Sequence, residues 1–80
     1  MTKVGEIIHY YDKIGVAVIK TLADLKVGTK IKFSGSTDFS QTISSLQVDH
    51  QSIDVAKNGD EAGLKVDQPV KPGDEVFLLE

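Results

Sequence analysis

Eighty residues with 40% hydrophobic content supply one domain and one small core, and no run of the roughly 20 apolar residues that a helical membrane span needs. All nine cations are lysines, set against twelve carboxylates for a net charge of −3; without arginine's planar fork, tight binding of phosphates or base edges is disfavoured. There is no cysteine for disulfides or thiolate metal sites, and the opening Met-Thr-Lys-Val-Gly-Glu lacks the apolar stretch of a signal peptide, so a cytoplasmic location is expected.

Val4 to Tyr11 is the first predicted strand, rich in β-branched and aromatic residues. Tyr10 and Tyr11 fall on opposite faces of it, one toward a core and one toward solvent. Asp12-Lys13 reads as a tight turn and Ile14 to Leu22 as the returning strand, with Ile14, Val16 and Val18 on one face and Ala17 and Ile19 on the other. Apolar residues on both sides predict a packed central strand. Thr21 to Lys26 is too short for a stable helix and reads as a turn that carries Leu22 and Leu25 into the core. Thr29 to Ser34 alternates cleanly, with Ile31 and Phe33 inward and Lys30 and Lys32 outward. A polar loop, Ser34 to Asp38, leads to a strand from Ser40 to His50. Its apolar positions, Ile43, Leu46 and Val48, slip in parity, which a β-bulge at Ser44-Ser45 would correct. Ile53 to Ala56 is followed by a turn at Asn58-Gly59-Asp60 and by alternating Ala62, Leu64 and Val66. Gln68 to Gly73 is a stiff connection, and Glu75 to Leu79 ends the domain.

Three Gly-centred turns punctuate this chain: Val27-Gly28-Thr29, Asn58-Gly59-Asp60 and Pro72-Gly73-Asp74. Each feeds a short alternating strand, as expected where glycine supplies a positive φ. Six or seven short strands at this spacing predict an all-β, mostly antiparallel, closed barrel that fills residues 1–80 as a single domain. Its expected core is Ile7 or Ile8, Val16, Val18, Ile31, Phe33, Leu46, Val48, Val55, Leu64, Val66, Val76 and Leu78.

Gly15-Val16-Ala17-Val18, Leu25 to Ile31, Ser45 to Val48, Ala56 to Leu64 and Pro72 to Val76 occur in an order and spacing that resembles the second domain of elongation factor Tu. The stretch Val4-Gly5-Glu6-Ile7 with His9 to Val16 is more similar to a translation elongation factor-like subgroup, whose barrel occurs alone and, in a similar form, appended to collagenase-type peptidases. The resemblance covers about Val4 to Leu79 and implies a translation-factor type barrel. It also implies that Gln47, Asp49 and His50 stand where elongation factor Tu holds the acceptor end of tRNA with an acidic, an aromatic and an arginine residue. Here the stacking surface and the fixed cation are both replaced.

The chemistry that remains is that of binding. No Gly-x-x-x-x-Gly-Lys-Ser/Thr loop is present for a nucleotide, and no serine between 34 and 52 has a base and an orienting acid at motif spacing. His9 and His50 have no recognised metal-ligand spacing with Asp12, Asp49 or Asp54, so no metal, cofactor or catalytic residue is expected. His9 beside an exposed Tyr11 makes a contact patch, and Lys30, Lys32 and Lys65 make a lysine set. The expected function is a non-catalytic interaction module that docks a protein partner. The alternative is an RNA- or tRNA-acceptor-end-binding barrel, which the acidic balance and the absence of arginine disfavour.

Overall fold

A computed structural model describes residues 2–79, which form ten strands and no helix. The strands are β1 (Thr2–Tyr11), β2 (Val16–Thr21), β3 (Leu25–Lys26), β4 (Lys30–Ser34), β5 (Asp38–Thr42), β6 (Leu46–Val48), β7 (Gln51–Ile53), β8 (Val55–Ala56), β9 (Glu61–Lys65) and β10 (Glu75–Leu78). Eight of them pair in the order β5-β4-β10-β1-β2-β9-β6-β7, every neighbour antiparallel, and β3 pairs with β8 in a separate ribbon. The strand count exceeds the expected six or seven because several elements are only two or three residues long.

The expected closure is not made by the sheet itself: among the described residues, the ladder ends at β5 on one side and β7 on the other. Backbone bonds carry the β4–β5 pairing past its last rung, and a side chain on β5 spans the gap. Gly28 N–H donates to the Ile43 carbonyl and Ile43 N–H to the Thr29 carbonyl, at 2.8 and 2.9 Å. The buried Gln41 side chain on β5 donates to the Lys65 carbonyl of β9 and accepts from Asp67 N–H, both at 2.8 Å. A side-chain amide has a donor end and an acceptor end, so it bridges the seam where no backbone rung is made.

The core gathers Ile7, Ile19, Ile31, Phe33, Leu46, Leu64 and Val76 around the inner face, with Phe39 stacked on Phe33 at 4.7 Å between ring centroids. Each fully buried aliphatic side chain of this kind contributes about 1.5–3 kcal/mol of transfer free energy. Ile7 is the residue inside; Ile8 lies at a break in register between Ile7 and His9 and faces out.

The clearest correction concerns β2. Val16 and Val18, expected in the core, are half-buried on the outer face, while Ala17, Ile19 and Thr21 are fully buried. A strand that is apolar on both faces does not reveal its parity; pairing of Ile19 with Ile7 and of Ala17 with Leu64 sets it. Ile14 is correspondingly 61% exposed and belongs to the turn at 12–15 rather than to the strand. Val48, Val55 and Leu78 are also half-buried rather than core, because they sit near strand ends. Leu25 enters the core as expected, but Leu22 is 48% exposed and buried Thr21 takes the inward position.

The expected strand from Ser40 to His50 is two strands. β5 pairs with β4 and β6 pairs with β9, so residues 43–45 cross between distant parts of the sheet instead of forming a bulge. The parity slip at Ser44-Ser45 marks this crossing. Burial of Ile43, whose backbone bonds to Gly28 and Thr29, pins it in place.

The Gly-centred turns are equivalent. Gly28, Gly59 and Gly73 have φ of 94°, 95° and 96°, and each turn closes with an N–H three residues after a lysine donating to that lysine's carbonyl. In two of them the final residue is aspartate, whose carboxylate also accepts the lysine N–H: Asp60 from Lys57 at 3.0 Å and Asp74 from Lys71 at 2.9 Å.

A candidate binding groove

The outer face of the sheet carries a groove of about 470 Å³. Its floor follows from register. Across four adjacent strands, His9 on β1 faces Val18 on β2, Val18 faces Gly63 on β9, and Gly63 faces Gln47 on β6. One rung away, Tyr11 faces Val16 and Val16 faces Lys65. Strand alternation puts these side chains on the face opposite Ala17, Ile19 and Leu64. The outward valines, which an all-core assignment of β2 obscures, therefore line the groove floor.

Two hairpin tips flank this floor. At one end, Tyr11 and Ile14 stand 49% and 61% exposed, and the His9 ring packs against Tyr11 with centroids 4.2 Å apart. At the other, Asp49 and His50 form the two-residue tip between β6 and β7. Their φ angles are +53° and +64°, as a type I′ hairpin requires, and Asp and His are among the residues that tolerate this conformation. Glu61 completes the lining.

Gly63 forms the trough between these walls. Its φ is not in the left-handed region, and a Cβ there would meet Val16, the Gln47 carbonyl and Gln47 Cβ at 3.6–3.9 Å, ordinary contact distances. The fold therefore does not require glycine at this position. The open floor does.

Of the residues singled out in the sequence, Tyr11, Gln47, Asp49 and His50 share the groove, with His9 packed behind Tyr11. The lysine set does not assemble there. Lys30 borders a different shallow groove with Ser40, Gln41, Thr42 and Leu79. Lys32 pairs with Asp38 at 3.5 Å, and Lys65, opposite Val16 on β9, is not among the lining residues of the groove. Ile14, Val16, Val18, Glu61 and Gly63 are the lining residues that sequence reasoning missed. The double-sided apolar pattern of β2 was the available signal.

A second groove, lined by Tyr10, Asp12, Ser36, Thr37, Pro69, Val70, Lys71 and Pro72, sits beside the Asp74 turn. Its polar neighbours are already engaged. Asp74, 3% exposed, accepts from Ser36 N–H at 2.9 Å, Ser36 Oγ at 2.7 Å and Lys71 N–H at 2.9 Å. Burial alone raises the pKa of this carboxyl, but these donors and the Lys71 charge outweigh it and hold the group below its ordinary value. That arrangement locks structure rather than offering a site.

No serine, threonine or cysteine stands on the lining of the Gly63 groove beside His50, and among the described residues no three His, Asp or Glu side chains gather as metal ligands. No helix among them is long and apolar enough to cross a membrane. The geometry can take an extended chain or a flat apolar group along the sheet.

This is a small, all-β antiparallel domain, and its likenesses lie among peptidase domains. No family model matches the chain. An uncharacterized protease of Methanocaldococcus jannaschii is 34% identical over 79 residues, spanning 96% of this chain and 19% of that protein. The chain thus covers about a fifth of the length of that curated relative. The C-terminal domain of a Geobacillus thermoleovorans protein described as a U32 peptidase has the same fold, with a TM-score of 0.93 at 19% identity over 99% of this chain and 93% of that one. Its selenomethionine form gives 0.90 at 20% identity, over 95% and 98%. These likenesses support the expected similarity to the β-domain appended to collagenase-type peptidases. They lend no support to identity with the second domain of elongation factor Tu.

Proposed function

We propose that this chain is a non-catalytic accessory domain of the kind appended to U32-type peptidases, and that it docks an extended polypeptide in the groove over β2 and β9. Gly63 is the observation that carries this reading. Glycine weakens a strand interior, and neither its φ nor its surroundings demand it here, so its consequence is the open floor. Apolar Val16, Val18, Tyr11 and Ile14 supply contact area, while Asp49 and Glu61 make the lining acidic and disfavour a phosphate backbone. The curled sheet serves as a barrel of the translation-factor type, its seam bridged by Gln41. A cytoplasmic setting belongs to this reading on the cysteine-free composition.

The test is titration of the isotopically labelled chain with two unfolded proteins, reduced and alkylated lysozyme (cationic) and reduced and alkylated α-lactalbumin (acidic), followed by amide NMR. At least one is expected to shift resonances at 16–18, 47–50 and 61–63. Gly63→Val should abolish the shifts while leaving the melting temperature equal or higher, because valine suits a strand and fills the floor. If both proteins leave the groove untouched, or Gly63→Val binds as well as the natural chain, the reading fails. Salt-sensitive shifts of these same residues by tRNA would instead assign the groove to RNA.

A further inference from the structure

Resting on that docking reading, we infer that the groove selects a polypeptide segment carrying an apolar side chain and, about two to four residues away, a lysine or arginine. The two ends of the groove differ in chemistry, and the β2–β9 register measures their separation. Val16 opposes Lys65 at one end of this ladder and Lys20 opposes Glu61 at the other. Those rungs are four residues apart, about 13 Å at strand rise. An extended ligand crosses that distance in about four residues, and the reach of a lysine or arginine side chain shortens the required spacing.

The apolar end is made by Tyr11, Ile14 and Val16, with Val18 next along β2. Tyr11 and Ile14 are two of the five large hydrophobic residues that stand exposed among those described, and both fall on this one lining. The opposite end carries the carboxylates of Asp49 and Glu61. Neither is in an ion pair with a lysine among the described residues. Lys20, across the ladder from Glu61, sends its Nζ to the Gly59 carbonyl at 3.1 Å. Lys65 stands at the apolar end, where it repels a cation and so reinforces the polarity of the groove. Two carboxylates against the single charge of Lys20 leave this end net negative among the described residues, which favours an incoming cation over an acidic segment. The site is open to solvent, so the selectivity is modest and screened by salt.

The experiment uses three capped hexapeptides on the labelled 80-residue chain: Ac-Leu-Ser-Gly-Lys-Lys-Ser-NH2, the same peptide with both lysines replaced by glutamate, and the same peptide with leucine replaced by serine. The leucine–lysine peptide is expected to shift groove amides and to bind roughly three- to tenfold more tightly than either of the others, with the advantage shrinking at high salt. The double variant Asp49→Asn/Glu61→Gln should erase the preference for lysine over glutamate. Asparagine suits the positive φ at position 49, so the hairpin tip persists. If that variant melts early, Glu61→Gln alone makes the same test with about half the effect.

Equal binding of the lysine and glutamate peptides in the groove overturns the inference and leaves polypeptide docking standing. No groove shift from any peptide also overturns it, and the titration with unfolded proteins then judges docking by itself. A preference that survives removal of both carboxylates overturns it too.

Discussion

The two faces of β2 carry similar side chains and meet different environments. Ala17, Ile19 and Thr21 look inward and are fully buried; Val16 and Val18 look outward and are half-buried on the groove floor. Inside, neighbours meet every surface: Ile19 packs beside Ile7, and a Cβ added at Gly5 would collide with the Ile19 side chain. Even the buried hydroxyl is satisfied, since Thr21 Oγ lies 2.7 Å from the Lys57 carbonyl and 3.1 Å from that of Asp60. Outside, a glycine stands where a side chain would fit. Hydrophobicity alone therefore does not say what a residue is for. The difference lies in whether the fold fills the space beside it.

The largest expected effect separates the two faces directly. Ile19→Ala should cost about 3–4 kcal/mol in urea unfolding, from lost transfer free energy and a cavity that the tight inner face cannot collapse into. Val18→Ala should cost under about 1 kcal/mol, because its neighbourhood already opens to solvent, yet it should weaken docking. Equal losses at the two positions would break the comparison.

Next comes the locked turn, which contrasts with the groove in having its polar groups engaged. Asp74→Asn should lose about 2 kcal/mol at neutral pH, since an amide offers one acceptor oxygen where the carboxylate serves three donors through two. The natural carboxyl titrates lower in the folded protein than its unfolded value of about 3.9. Its contribution is therefore fully present above about pH 4 and is lost as pH falls through the folded value. Unfolding curves between pH 6 and 2 should show a shallower acid decline for Asp74→Asn than for the natural chain.

The smallest effects belong to the repeated turns. Gly59→Ala and Gly73→Ala should each cost about 1 kcal/mol, a conformational penalty, because beyond the adjoining residues no atom lies within 4 Å of where either Cβ would go. Melting curves that leave both silent would remove the account of these turns. Gly63→Ala is the internal control: with no positive φ, it should cost nothing or stabilise slightly.

Much of the fold was legible where local physics leaves one answer. The φ values at Gly28, Gly59 and Gly73 are those expected of Gly-centred turns, and the Lys30–Ile31–Lys32–Phe33 alternation matches the observed burial. Part of the candidate groove was legible too, because Gln47, Asp49 and His50 fall within four consecutive residues and Tyr11 is a hairpin-end aromatic. Lys30, Lys32 and Lys65 were grouped by charge alone, and charge carries no distance information.

By itself, then, the sequence determined an all-β chain of short antiparallel strands, the places where it turns, and its lack of arginine and cysteine. These follow from φ preference, side-chain alternation and composition, all of them local. Only the tertiary structure decided which face of β2 is inside, that residues 43–45 cross between distant strands, and that His9, Val18, Gly63 and Gln47 stand in one row. Each of those depends on register between strands far apart in the chain, and a shift of one residue would turn the groove floor into the core.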